Sequence, residues 1–152
     1  MSKTKRHAGS RTAHLPRPNL ESLKPLVGTW KVSGDVQGQI RYEWEEGGFF
    51  LTQHVDLVYA GRNIRGIELI GHLRGVGQKP SQDIHSRFYH FTEGLTLDYV
   101  YKISGDTITI WFGPKGSDNR FRGKFSKDGN SFTGAWRWPR GGYKMTATRI
   151  LD

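Results

Sequence analysis

Glu68 lies in the run RGIELIG, residues 65–71, with apolar neighbours on both sides. A carboxylate placed there must pair with a base or face a wet cavity, because burying it alone is costly. Desolvation would raise its pKa, which suits general acid or base work. Arg87, within HSRFYHF (residues 85–91), and His54 are the candidate partners. The plainer readings are a structural ion pair inside the fold or an acid on a solvent-facing strand position. Six histidines form the other chemistry-bearing set. His7 and His14 fall in a basic leader. His54 and Asp56 share one strand face, but two ligands do not make a metal site. Glu68 and His72 also share a face, yet four residues of strand separate them by about 13 Å. His85 and His90 face opposite sides of a regular strand. No metal site is expected, and no residue is assigned a catalytic role. The absence of a Walker loop, a GxSxG elbow and an HExxH pair removes the common nucleotide, serine-hydrolase and zincin readings.

Aromatic residues supply a second kind of site. Tyr42, Trp44, Phe50, Tyr89, Tyr99, Trp111 and Trp136 are placed to line a pocket for a planar or lipidic ligand, or else to fill a core. Together with the polar candidates they define an expected ligand-binding set: Tyr42, Trp44, His54, Glu68, Arg87, Tyr89, Tyr99 and Trp136. No cofactor is expected.

Strands must position these residues. Turn signals recur at Ser33-Gly34-Asp35, Gly47-Gly48, Ala60-Gly61, Gly75 to Ser81, Thr92 to Gly94, Ser104 to Asp106, Gly113 to Asp118, Asp128 to Asn130 and Arg140 to Gly142. Short strands punctuated in this way, about ten of them, argue for an all-β sandwich or barrel, and short turns favour an antiparallel meander. Alternation agrees. Ile40, Tyr42 and Trp44 oppose Arg41, Glu43 and Glu45. Leu95, Leu97, Tyr99, Tyr101 and Ile103 oppose Thr96, Asp98 and Lys102. Phe121 and Phe125 oppose Arg120, Arg122 and Lys124. Residues 49–58 and 63–73 are apolar on both faces, so their inward face stays open. Ahead of the strands, Asn19 and LESLKPL (residues 20–26) predict a short helical turn capped by Asn19 and ended before Pro25.

The bulk composition fits one domain of this kind. The chain has 152 residues, 35% hydrophobic and 12% aromatic, with 20 glycines and no cysteine. Disulfides, thiolate metal sites and cysteine nucleophiles are thereby excluded. Of 23 basic and 14 acidic residues, five basic and no acidic ones fall in residues 1–18, leaving +4 of the net +9 for residues 19–152. The leader is too poor in apolar groups to fold alone and is expected to be a disordered, solubilising tail. Its charge would bind nucleic acid or an anionic membrane only weakly. No apolar run approaches the roughly 20 residues of a membrane span, and the leader lacks the apolar stretch of a secretory signal. A cytoplasmic location is expected, as a monomer or homodimer.

Gly28-Thr29-Trp30 resembles the Gly-x-Trp opening of lipocalins and other calycins. That resemblance implies a basic residue near the end of the last strand, packed over the tryptophan, and Arg149 in YKMTATRI (residues 143–150) is the matching position. Such a contact is worth about 0.5–2 kcal/mol. It also ties the last strand to the first, as barrel closure requires. A more detailed similarity is to a set of bacterial lipocalin-like proteins. It is carried by LVGTW, YEWEEGGFFL, RGIELIG and RFRGKFSKDGNSFTGAW and spans residues 26–150. It implies a lipocalin-like up-and-down barrel over residues 19–152 and no particular activity. The chain also resembles, more distantly, nitrobindin, a haem-binding barrel with a similar Gly-Thr-Trp start. Haem iron in that family is held by a histidine near the C-terminus, whereas residues 131–138 and 143–151 contain none.

The expected function is therefore non-covalent binding of a small hydrophobic or aromatic molecule in the barrel. Two alternatives remain: a cyclase- or isomerase-type enzyme using the same cavity, or an interaction protein acting through the basic leader.

Overall fold

Alternating apolar and polar residues become ten antiparallel strands in the computed structural model, which describes residues 20–151. They are β1 (Gly28–Gly34), β2 (Val36–Trp44), β3 (Phe50–Tyr59), β4 (Arg62–Gly71), β5 (Ile84–His90), β6 (Thr96–Ser104), β7 (Thr107–Phe112), β8 (Arg120–Phe125), β9 (Ser131–Trp138) and β10 (Gly141–Arg149). Each strand pairs with its neighbours in the chain, and β10 pairs with β1, so the sheet closes into a barrel. The expected leader, with its two histidines, and the expected Asn19 cap lie outside the described residues. Among the described residues no helix is long and apolar enough to cross a membrane.

One end of the barrel is sealed. A 3-10 turn, Glu21–Leu26, precedes β1, and Leu20, Leu23 and Leu26 are fully buried in the core. The turn runs through Pro25 instead of stopping before it. The fixed φ of proline suits the turn, and the Val27 N–H bonds to the Lys24 carbonyl at 3.1 Å just beyond. Trp30 is fully buried beneath these leucines, and its indole N–H donates to the Leu26 carbonyl at 2.8 Å. The Phe132 ring meets it edge-on at 5.0 Å.

Arg149 stands directly across from Trp30 in the β1–β10 pairing, with its guanidinium 4.2 Å from the indole centre. The same guanidinium donates to the carbonyls of Val27, Pro25 (2.9 Å) and Gly129 (3.1 Å). It therefore clasps the entering turn, the first strand and the β8–β9 turn at once. Gly28 makes room for this. Its φ is +127°, and a side-chain carbon there would stand 2.6 Å from the arginine.

Register settles the two strands that the sequence left open. On β3, Leu51, Gln53, Val55 and Leu57 face inward, and on β4, Ile64, Glu68 and Ile70 do. Tyr59 also turns inward, against Tyr143 and the core, whereas Phe50, Val58, Ile67 and Leu69 face out, and Phe50, Val58 and Leu69 are left substantially exposed.

Trp30→Ala is expected to lower the unfolding free energy by about 3–5 kcal/mol, the range for truncating a buried large aromatic. Arg149→Lys keeps the charge but loses the planar fork, and should cost about 1–3 kcal/mol. Urea denaturation followed by circular dichroism reads both. Losses under about 1 kcal/mol in both variants would remove the clasp from its role.

Candidate functional site

Away from the sealed end, the barrel encloses a cavity of about 430 Å³, within the usual range for small-molecule sites. Ten strands leave a bore too wide for side chains to fill. The walls are largely apolar and ring-rich. Tyr99 meets Trp136 edge-on at 5.8 Å, Phe121 stands 5.9 Å from Trp136, and Trp138 meets Tyr143 at 6.2 Å. Leu95, Phe112 and Trp138 continue the lining to the open end. Among the described residues no lysine or arginine lines the cavity; its acids are Glu68, deep inside, and Glu93, which lies with His90 nearer the mouth.

Alternation on β4 turns Glu68 inward, where its cross-strand neighbours are Gln53 on β3 and Phe88 on β5. Its carboxyl accepts hydrogen bonds from the Ser86 hydroxyl at 2.5 Å and the Tyr101 hydroxyl at 2.9 Å. Beside it, the Gln53 amide donates to the Tyr42 hydroxyl at 2.9 Å. Five adjacent strands, β2 to β6, thus build one polar cluster on an apolar wall. Burial pushes the Glu68 pKa up to about 7, and the two hydroxyl bonds only partly oppose it. Burial, followed by the charge of Glu68, raises the Tyr42, Tyr99 and Tyr101 phenols far above their ordinary value. These phenols stay protonated near neutral pH, and that of Tyr101 donates to Glu68. The arrangement can therefore hold one hydrogen-bond donor or cation, or exchange one proton with a bound molecule.

At the mouth, the His90 ring lies 3.1 Å from the Thr92 hydroxyl and 4.0 Å from the Glu93 carboxylate. Arg62 reaches Glu93 at 2.8 Å, which ties the β3–β4 hairpin to the β5–β6 hairpin.

Four of the expected binding residues line this cavity: Tyr42, Glu68, Tyr99 and Trp136. The other four do not. His54 sits on the outer face of β3, 2.7 Å from Glu43. That contact and Arg41, at 2.8 Å, hold the Glu43 carboxyl below its ordinary range. Arg87 lies outside on β5 and forms a two-point pair with Asp98 at 2.7 and 3.1 Å. Tyr89 faces out and is 39% exposed. Trp44 packs against the core near the sealed end and does not reach the cavity. The physical reason is register. Gln53 and Phe88, not His54 and Arg87, stand opposite Glu68, and one step along a strand reverses the face. Ser86, Tyr101 and Gln53 take the place of the expected basic partners. Tyr101 belonged to the inward apolar row of β6, so its ring was visible in the sequence while its hydroxyl contact was not. Among the described residues, no cluster of three or more potential ligands could hold a metal ion.

No protein-family profile matches this chain, and no curated protein matches it in sequence.

The folded state holds the Glu68 proton more tightly than the unfolded chain, whose carboxyl titrates near the ordinary 4.5. Stability contributed by this group is full below that value and is lost as pH rises through about 7. Glu68→Gln should therefore gain on the native protein by about 3 kcal/mol between pH 4.5 and pH 8. Parallel urea titrations across that range test this. A stability difference that stays flat with pH would mean that Glu68 is ionised throughout.

Proposed function

We propose that this protein binds a small apolar or aromatic molecule non-covalently inside the barrel, in the manner of a lipocalin-like carrier. The observation that carries this reading is the cavity itself: ring-rich walls around a single deep acid that has no basic partner among the described residues. Rings and apolar area supply affinity, and the Glu68 cluster orients one polar group. The charges select among ligands. A carboxylate tail would meet Glu68 with no arginine or lysine to receive it. An amine would gain an ion pair in a poorly solvated site and a cation–π contact with the surrounding rings. The favoured ligand class is an aromatic or apolar molecule bearing an amine or a hydroxyl.

The same cluster favours a second reading. A carboxyl titrating near neutrality, held by two hydroxyl donors, is suited to proton transfer in an isomerase- or cyclase-type reaction. Under that reading Glu68→Gln abolishes turnover and keeps binding. Under the carrier reading the substitution alters only ligand preference.

Native mass spectrometry of the gently purified protein should show an added mass absent after denaturation. Calorimetric titration with 4-phenylbutylamine, 4-phenylbutanol and 4-phenylbutanoate then grades the site. The amine and alcohol are expected to bind at least about tenfold more tightly than the carboxylate, which corresponds to about 1.4 kcal/mol. Glu68→Gln should erase the advantage of the amine over the alcohol. No added mass together with no binding of any of the three compounds overturns the proposal.

A further inference from the structure

The outer surface of the barrel is divided by charge. On one side, arginines and histidine meet acids: Arg41 and His54 with Glu43, Arg65 with Asp56, Arg87 with Asp98. Across the ring of strands, the outward positions of β8, β9 and β10 carry Arg120, Arg122, Lys124, Arg137 and Lys144 and no acid. Among the described residues, Lys124 is the only one of these five whose side chain forms an ion pair, with Asp106 at 3.7 Å. The carboxylate of Asp35 accepts a bond from the backbone N–H of Lys144, at 2.8 Å.

Register turns these cations into a cradle. Ala135 stands opposite Arg122 on β8 and opposite Lys144 on β10. One step of the pleat away, Arg120 and Arg137 stand directly opposite each other. Like charges so placed cost stability. The four cations rim a shallow concavity of about 550 Å³ that Gly134, Ala135 and Thr133 help to line. Among the described residues, none of these four lies within ion-pair distance of a carboxylate.

We infer that this cradle binds the phosphodiester backbone of single-stranded nucleic acid. Arg and Lys side chains around a small-residue floor match phosphate groups in charge and geometry, and threonine hydroxyls add donors. Trp111, paired with Arg120 across β7–β8, provides a ring beside the cradle on which a splayed base can stack. This outer strand face carries no helix or ribbon to enter a duplex groove, so contacts to backbone and base faces are what it offers. A membrane is the poorer match. Of the large exposed apolar side chains, Phe50, Val58, Leu69 and Tyr89 lie on the opposite wall, on β3 to β5, and none lies on β8, β9 or β10. Ile150 and Leu151, just past β10, are exposed as well, but the apolar strand faces and the cationic one are on different sides of the barrel.

The full chain is tested by fluorescence anisotropy with a fluorescein-labelled 20-nucleotide oligothymidine between 50 and 200 mM NaCl. Binding is expected to weaken with salt, with a log–log slope of about −3 for four phosphate contacts. Arg122→Glu with Arg137→Glu should weaken binding at least about tenfold at 50 mM and flatten the slope by about one unit or more. The control pair Arg74→Glu with Lys79→Glu makes the same change of net charge in the exposed β4–β5 loop. It should stay within about threefold of the native protein. Circular dichroism and phenylbutylamine titration check that both variants remain folded. Equal losses in the two pairs would assign binding to net charge or to the leader and overturn the cradle. Absence of binding at 50 mM salt would overturn it too, as would tighter binding to phosphatidylglycerol-containing vesicles than to the oligonucleotide.

Discussion

The clasp between Trp30 and Arg149 is the constraint on which the rest of this barrel depends. A sheet of ten strands has two edges, and every wall of the cavity exists only because those edges meet. The meeting is made by backbone pairing between β1 and β10 and locked by one guanidinium. That group covers the indole while bonding carbonyls from the entering turn and from the β8–β9 turn. Closure and the sealing of one end are therefore one event. The leucines of the 3-10 turn complete the seal, and their burial leaves the opposite end as the way in.

Within that frame, the interior is apolar wherever it can be and polar at one place. Glu68, Ser86, Tyr101, Tyr42 and Gln53 come from five of the strands, and their hydrogen bonds are directed at each other. A buried carboxyl without a basic partner is a standing cost that a packed core of the same size would avoid. The cluster is retained in a cavity with room for a molecule beside it. Its chemistry complements a donor or a cation and repels an acid.

The architecture was legible in the sequence because period two and glycine turns determine it locally. Tyr42, Tyr99 and Phe121 could be assigned to the inner face from alternation alone. Trp30 and Arg149 could be paired through the resemblance of the chain to other barrels. The partners of Glu68 could not be read, because they depend on which residue of β3 and β5 stands opposite, and doubly apolar strands give no local clue to register. His54 and Arg87 are each one position away from residues that do stand opposite Glu68. The cationic cradle was invisible for the same reason. RFRGKF shows three cations on one strand, but the addition of Arg137 and Lys144 requires knowing which strands lie beside it.

The sealed end has a consequence for kinetics. A barrel open at both ends can exchange its contents by displacement, with one molecule entering as another leaves. Among the described residues this barrel has a single mouth, so under the carrier reading a bound molecule would have to depart before another reached Glu68. Residence time would then depend on the width of that mouth. The ion pair from Arg62 to Glu93 bridges two of the hairpins that form it. A surface contact of this kind contributes little to overall stability. Under the carrier reading, its place at the rim of a blind tube would make it a latch on the rate of exchange.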